Sequence, residues 1–138
     1  MPLPGPDAGA VGTARLAVGD ADLASRMALE PGEEFPAVLA TTRMIGLMEL
    51  AAARAMRPVL EPGELSVGVA VDVRHTAPTP PGAVVTARAR FVGLEGKLYV
   101  FEVSAEDEAG EIGAGTHRRA VVSVQRLLAG AAKRRTKP

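Results

Sequence analysis

Cysteine and tryptophan are absent from this chain, and its 138 residues include only three phenylalanines and one tyrosine. Without thiols there is no thiolate catalysis, no cysteine-based zinc site and no disulfide, a usage that suits a reducing compartment and makes the cytoplasm the expected location. Excess charge is missing as well. Lys plus Arg and Asp plus Glu stand at 16 each, and Phe35, Phe91, Tyr99 and Phe101 are the whole supply of stacking faces, so nucleic acid is not an expected partner. The most apolar stretch, Thr42 to Val59, is interrupted by Arg43, Glu49, Arg54 and Arg57. It falls short of the run of about 18 to 20 apolar residues needed to span a membrane.

The opening MPLPGPDAGAVG has neither a basic start nor an apolar run and reads as a loose tail rather than a secretion signal. At the other end Lys133, Arg134, Arg135 and Lys137 cluster. The expected organisation is a disordered tail over 1–12, one domain over 13–128 and a basic disordered tail over 129–138. A domain of this size buries roughly two thirds of its unfolded surface around a single core.

Apolar residues at 44, 45, 47, 48, 51, 52, 55 and 56 follow helical spacing, and Pro58 allows an end near Arg57. The remaining pattern gives a short strand over 13–18 and four longer ones over 65–75, 83–92, 98–106 and 112–127, the last bent near its glycines. Pro62-Gly63, Pro80-Pro81-Gly82, Glu95-Gly96 and Glu108-Ala109-Gly110 separate them. Residues 22–30 fit either a strand or a turn of helix. One long helix followed by consecutive antiparallel strands implies an α+β roll, a curved sheet wrapped around the helix. The helix is apolar on nearly every side, so pairing of two chains would extend the sheet and seal it.

Glu49 is the residue that needs explaining, because a carboxylate shares a helix face with Ile45, Ala52, Ala53 and Met56. Either the acid does chemistry, or it is salt-bridged to Arg43, Arg54 or a partner chain. His75 ends the run LSVGVAVDVRH, where strict alternation sets it with Val67, Val69, Val71 and Val73 and puts Gly68 on the opposite face. Imidazole suits proton transfer near neutral pH, and a proline-rich turn follows that could fix it. Thr41 and Thr42 stand where the helix begins and either cap it or offer a hydroxyl to a substrate. Gly68 marks a bulge or a close approach. His117 lies in GAGTHRRAVVSV, but no ligand spacing joins it to His75 and Glu49, and no metal is expected. GEIGAG has the glycines of a phosphate loop yet leads into a strand rather than a helix.

Taken together, EFPAVLATTRMIGLMELAAARAM, LEPGELSVGVAVDVRHTAPTPPG and EIGAGTHRRAVV resemble the hotdog-fold acyl-CoA thioesterases, and among them the fluoroacetyl-CoA thioesterase family. The likeness spans about residues 30–127. It implies a hotdog fold, a homodimer with a continuous sheet, and hydrolysis of a short acyl-CoA thioester, fluoroacetyl-CoA being one candidate, to the acid and free CoA. It also implies a catalytic set of Thr41, Glu49 and His75 where two subunits meet, with Phe35, Gly68 and Arg119 lining the substrate site. No cofactor is implied, CoA being part of the substrate. Phe35 matches one aromatic lid residue of that family; the second lid position is Gly32 here. Two other readings are a hotdog dehydratase or hydratase and a non-catalytic acyl-CoA binder. The fatty-acid dehydratases place a His before Phe-Pro, where this chain has Glu34.

Overall fold

A computed structural model describes residues 5–136. Strand β1 (Val11–Ala17) leads through short 3-10 turns at Asp20–Asp22 and Ala24–Met27 into helix α1 (Thr41–Met56). A 3-10 turn at Arg57–Val59 follows, then strands β2 (Glu64–His75), β3 (Val84–Glu95), β4 (Leu98–Asp107) and β5 (Gly110–Ser123), and helix α2 (Val124–Thr136). The five strands form one antiparallel sheet in the order β1-β3-β4-β5-β2, curled around α1. This is the α+β hotdog architecture the sequence implied. Within the segment 22–30, Ala24–Met27 is a 3-10 turn, Leu23 forms an isolated antiparallel bridge with Leu39, and no strand is present.

The core lies between α1 and the inner sheet face. Met44, Met48 and Met56 are fully buried against Val85, Ala87, Ala89 and Phe101, and small Ala51 and Ala52 let the helix come close. Truncating one such methionine costs about 2–5 kcal/mol, so α1 is a firm support for Thr41 at its start and Glu49 midway. Leu50 and, along β2, Leu65, Val69 and Val71 are exposed.

Two expectations are corrected. The last strand ends at Ser123, and Val124–Thr136 is helical rather than a strand to 127 followed by a tail. Apart from Gly130, QRLLAGAAKRR is built from good helix formers with no β-branched residue, and its basic last turn complements the helix dipole. At the other end β1 opens at Val11, inside the segment expected to be tail, and the Phe91 N–H donates to the Ala10 carbonyl. Residues 1–4 of that tail lie outside the described residues.

Alternation along β2 is broken at one position. Gly68 pairs with Arg119 and Ala70 with Arg118, leaving Val69 as an extra residue in a bulge. The slip moves Gly68 onto the side it shares with Val71, Val73 and His75, opposite Arg119, His117, Gly115 and Gly113 of β5. Gly68 and His75, expected on opposite faces, thus share the face turned toward α1.

Candidate active site

Helix α1 begins without a side-chain cap: Ala40 is the N-cap residue and no side chain accepts from the first turn. The capping role open to Thr41 is not taken. Its Oγ1 instead lies 2.7 Å from Nδ1 of His75, while the Thr42 hydroxyl points to Sδ of Met27 at 3.9 Å. His75 is held because the chain just beyond it is tied to β5, the Thr76 N–H and hydroxyl both donating to the Ile112 carbonyl at 2.7 and 3.2 Å. Nε2 of His75 is buried and has no hydrogen-bond partner among the described residues.

Thr41 and His75 open onto a cavity of about 480 Å³ walled by Met27, Phe35, Val38 and Leu39, a size suited to a small organic group. Phe35 stands at its mouth, 45% exposed. Gly32 does not reach the cavity. It turns at φ +91, with open space where a side chain would project, and a side chain there would be strained.

Glu49 lies eight residues along α1, about 12 Å from Thr41 by helix rise. A Cβ added to Gly68 would stand 2.5 Å from its Oε1 and 3.2 Å from Cε1 of His117, so the carboxylate rests on the bare backbone of β2. The salt-bridge partners suggested for Glu49 within the chain are engaged elsewhere. Arg43 pairs with Asp22 at 2.9 Å, and Arg54 donates to the Thr13 carbonyl at 2.8 Å. The cation that does face Glu49 is Arg119, only 6% exposed, which donates to Ser66 Oγ, the Ser66 carbonyl and His117 Nε2. His117 is buried and bonds the Ala70 carbonyl through Nδ1. Burial pushes its pKa below the usual imidazole value, the Ala70 bond opposes that, and the Arg119 charge adds to it. Burial likewise lowers Arg119, and Glu49 counteracts it.

Within one chain, then, Thr41, His75 and Phe35 are brought together, and so are Glu49, Gly68 and Arg119. The two groups are separate, since Gly68 and His75 are seven residues apart on β2, roughly 20 Å of strand. Ser66 and the buried pairing of His117 with Arg119 were missed in the sequence. The signal was the spacing of two in THRR, which puts both side chains on one face of a strand. Among the described residues no helix is long and apolar enough to cross a membrane.

Residues 18–125 match the family model described as fluoroacetyl-CoA-specific thioesterase, FlK. The fluoroacetyl-CoA thioesterase of Streptantibioticus cattleyicolor is 53% identical over 96 residues, 70% of this chain and 69% of that protein. The solved structure of FlK is 43% identical and superposes with a TM-score of 0.86, covering 98% of this chain and 100% of that one. A thioesterase superfamily member from Thermus thermophilus is more distant, at 28% identity, with a TM-score of 0.83 and coverage of 97% and 94%. A match over most of the domain, at such identity and with such agreement of fold, places this chain in the fluoroacetyl-CoA-specific thioesterase family.

Proposed function

We infer that this protein hydrolyses short-chain acyl-CoA thioesters, with Thr41 and His75 of one subunit and Glu49 of a second forming each active site. The observation that carries the reading is the 2.7 Å contact between Thr41 Oγ1 and His75 Nδ1 at the wall of the cavity. If the Thr41 hydroxyl donates, Nδ1 is the acceptor and the ring proton resides on Nε2, the atom left without a partner. A carboxylate there would orient the ring and stabilise it once protonated, the relation of acid, imidazole and hydroxyl in a nucleophilic triad. Glu49 of the same chain is too far along β2 to serve. β2 is an edge strand with an exposed outward side. An antiparallel pairing of two β2 strands about a two-fold axis near Val71 and Asp72 would set His75 of one subunit beside Gly68, and hence Glu49, of the other.

In this site His75 draws the proton from the attacking oxygen, that of Thr41 or of a water bound beside it, as the oxygen adds to the thioester carbonyl. The negative charge that develops on the carbonyl oxygen is met by the N–H groups at the uncapped start of α1. Collapse expels the CoA thiolate, which takes up the proton held by His75. Should Thr41 be the attacking group, water then hydrolyses the acyl-enzyme by the same route. Phe35 alone screens the mouth, so discrimination between fluoroacetyl and acetyl groups rests on one ring. No cofactor is needed for this chemistry, and a cytoplasmic location is part of the proposal.

Thiol release from acetyl-, fluoroacetyl-, propionyl- and butyryl-CoA tests this, with His75→Ala as control. We expect His75-dependent hydrolysis of the two-carbon esters. Absence of His75-dependent release across the panel would overturn the reading in favour of an acyl-CoA binding protein.

A further inference from the structure

The buried pair His117 and Arg119 lies outside the group that contacts the cavity, and burying a guanidinium needs a reason. Arg119 has no carboxylate within ion-pair distance among the described residues; its bonds go to Ser66 and to a neutral ring. Because arginine can only donate, Nε2 of His117 must present its lone pair to Nη1, at 3.1 Å. Its other nitrogen therefore carries the proton and donates to the Ala70 carbonyl at 2.9 Å, beside the extra residue of the bulge. The imidazole is thereby a spacer between the β2 bulge and the guanidinium. Its Cε1 edge and the Glu49 carboxylate converge on Gly68, and the guanidinium it holds feels the Glu49 charge.

We propose that His117 is a positioning residue, which fixes itself and Arg119 against the β2 bulge so that the ring edge and the buried positive charge keep the Glu49 carboxylate above Gly68, in register to reach the second subunit's active site. The inference rests on the catalytic reading of Glu49 and adds the device that aims it. Two hydrogen bonds of one ring serve two purposes. The bond to Ala70 anchors the ring, and the bond from Arg119 transmits its position. Gln at 117 retains an acceptor near the position of Nε2, whereas Asn retains a donor near Nδ1 and offers Arg119 nothing.

Steady-state kinetics on a short acyl-CoA, with thermal melting and sizing of each variant, separates these functions. His117→Asn is expected to lower kcat about 10- to 100-fold with little change in KM, as expected when a catalytic group is misplaced by about 1 Å. His117→Gln is expected to restore most of kcat. Arg119→Lys should resemble His117→Asn, and the double variant should be no worse than either single one, because the two act as a unit. The proposal is overturned if His117→Asn and His117→Gln lose activity equally, in step with melting temperature, or if the losses at 117 and 119 add. Glu49→Gln serves as the reference. If it keeps full activity, the reading of Glu49 itself falls, whereas an inactive Glu49→Gln beside a fully active His117→Asn removes only the role of His117.

Discussion

Adding one methyl group at Gly68 should separate stability from activity. The Cβ of Gly68→Ala would lie 2.5 Å from Oε1 and 3.3 Å from Cδ of Glu49, about 0.9 Å short of the 3.4 Å at which ordinary contact begins for the nearer atom. The methyl also crowds Cε1 of His117 at 3.2 Å, and that ring is held by the Ala70 and Arg119 bonds. Glu49 is the part free to move, so its carboxylate is displaced by close to 1 Å. Displacement of that size costs about 100-fold in rate when the group must meet a reacting partner. The fold should hardly notice: Gly68 is not among the glycines at positive φ, and replacing Gly by Ala at a compatible position stabilises by about 0.4–1 kcal/mol through the unfolded chain. The assay is kcat by thiol release beside a urea unfolding midpoint. Wild-type kcat in a well-folded Gly68→Ala protein would refute the placement of Glu49 over Gly68 as a catalytic position.

Two further predictions concern pH and the start of α1. Folded His117 resists protonation, so below its ordinary value of 6.5 the unfolded chain binds the extra proton first. The neutral ring's contribution is complete above that pH and declines as pH falls through it. The unfolding midpoint of the wild type should thus drop more steeply from pH 7.5 to 5 than that of His117→Gln, and parallel curves would contradict this. Asp22 accepts the Gly19 N–H and the Arg43 guanidinium at 2.9 Å each, and the Gly19 bond is the main cause holding its pKa below 3.8. That stability is present above about pH 4 and is lost as pH falls through the lowered value. Asp22→Ala should cost about 1–3 kcal/mol at pH 7, read from urea unfolding, and an unchanged midpoint would show that this link to α1 carries no weight.

The helix, the strands of the roll and the candidacy of Thr41 and His75 could be read because each has a local signature: a 3.6-residue apolar period, strands parted by Pro and Gly, a hydroxyl at a helix start and a histidine at a strand end. What could not be read depended on events between strands. The bulge at Val69 reverses which face Gly68 occupies, and no alternation rule announces a one-residue slip. The bond from Arg119 to Ser66 joins residues 53 positions apart. Helix α2 is hidden in the sequence because the strand periodicity of Val121 and Val122 runs directly into it, with no Pro or Gly break where the composition changes to helix formers. The separation of Glu49 from His75 is likewise invisible in sequence spacing, since it follows from both residues being set against one long edge strand.

Subunit complementation tests the composite site most directly. Glu49→Gln and His75→Ala proteins, each inactive alone, are unfolded together in equal amounts and refolded, then assayed for thiol release. If each site takes Glu49 from one subunit and His75 from the other, half the dimers are mixed and carry one intact site, giving about a quarter of wild-type activity. If both residues serve within a single chain, every site in the mixture lacks one of them, and no recovery would contradict the account.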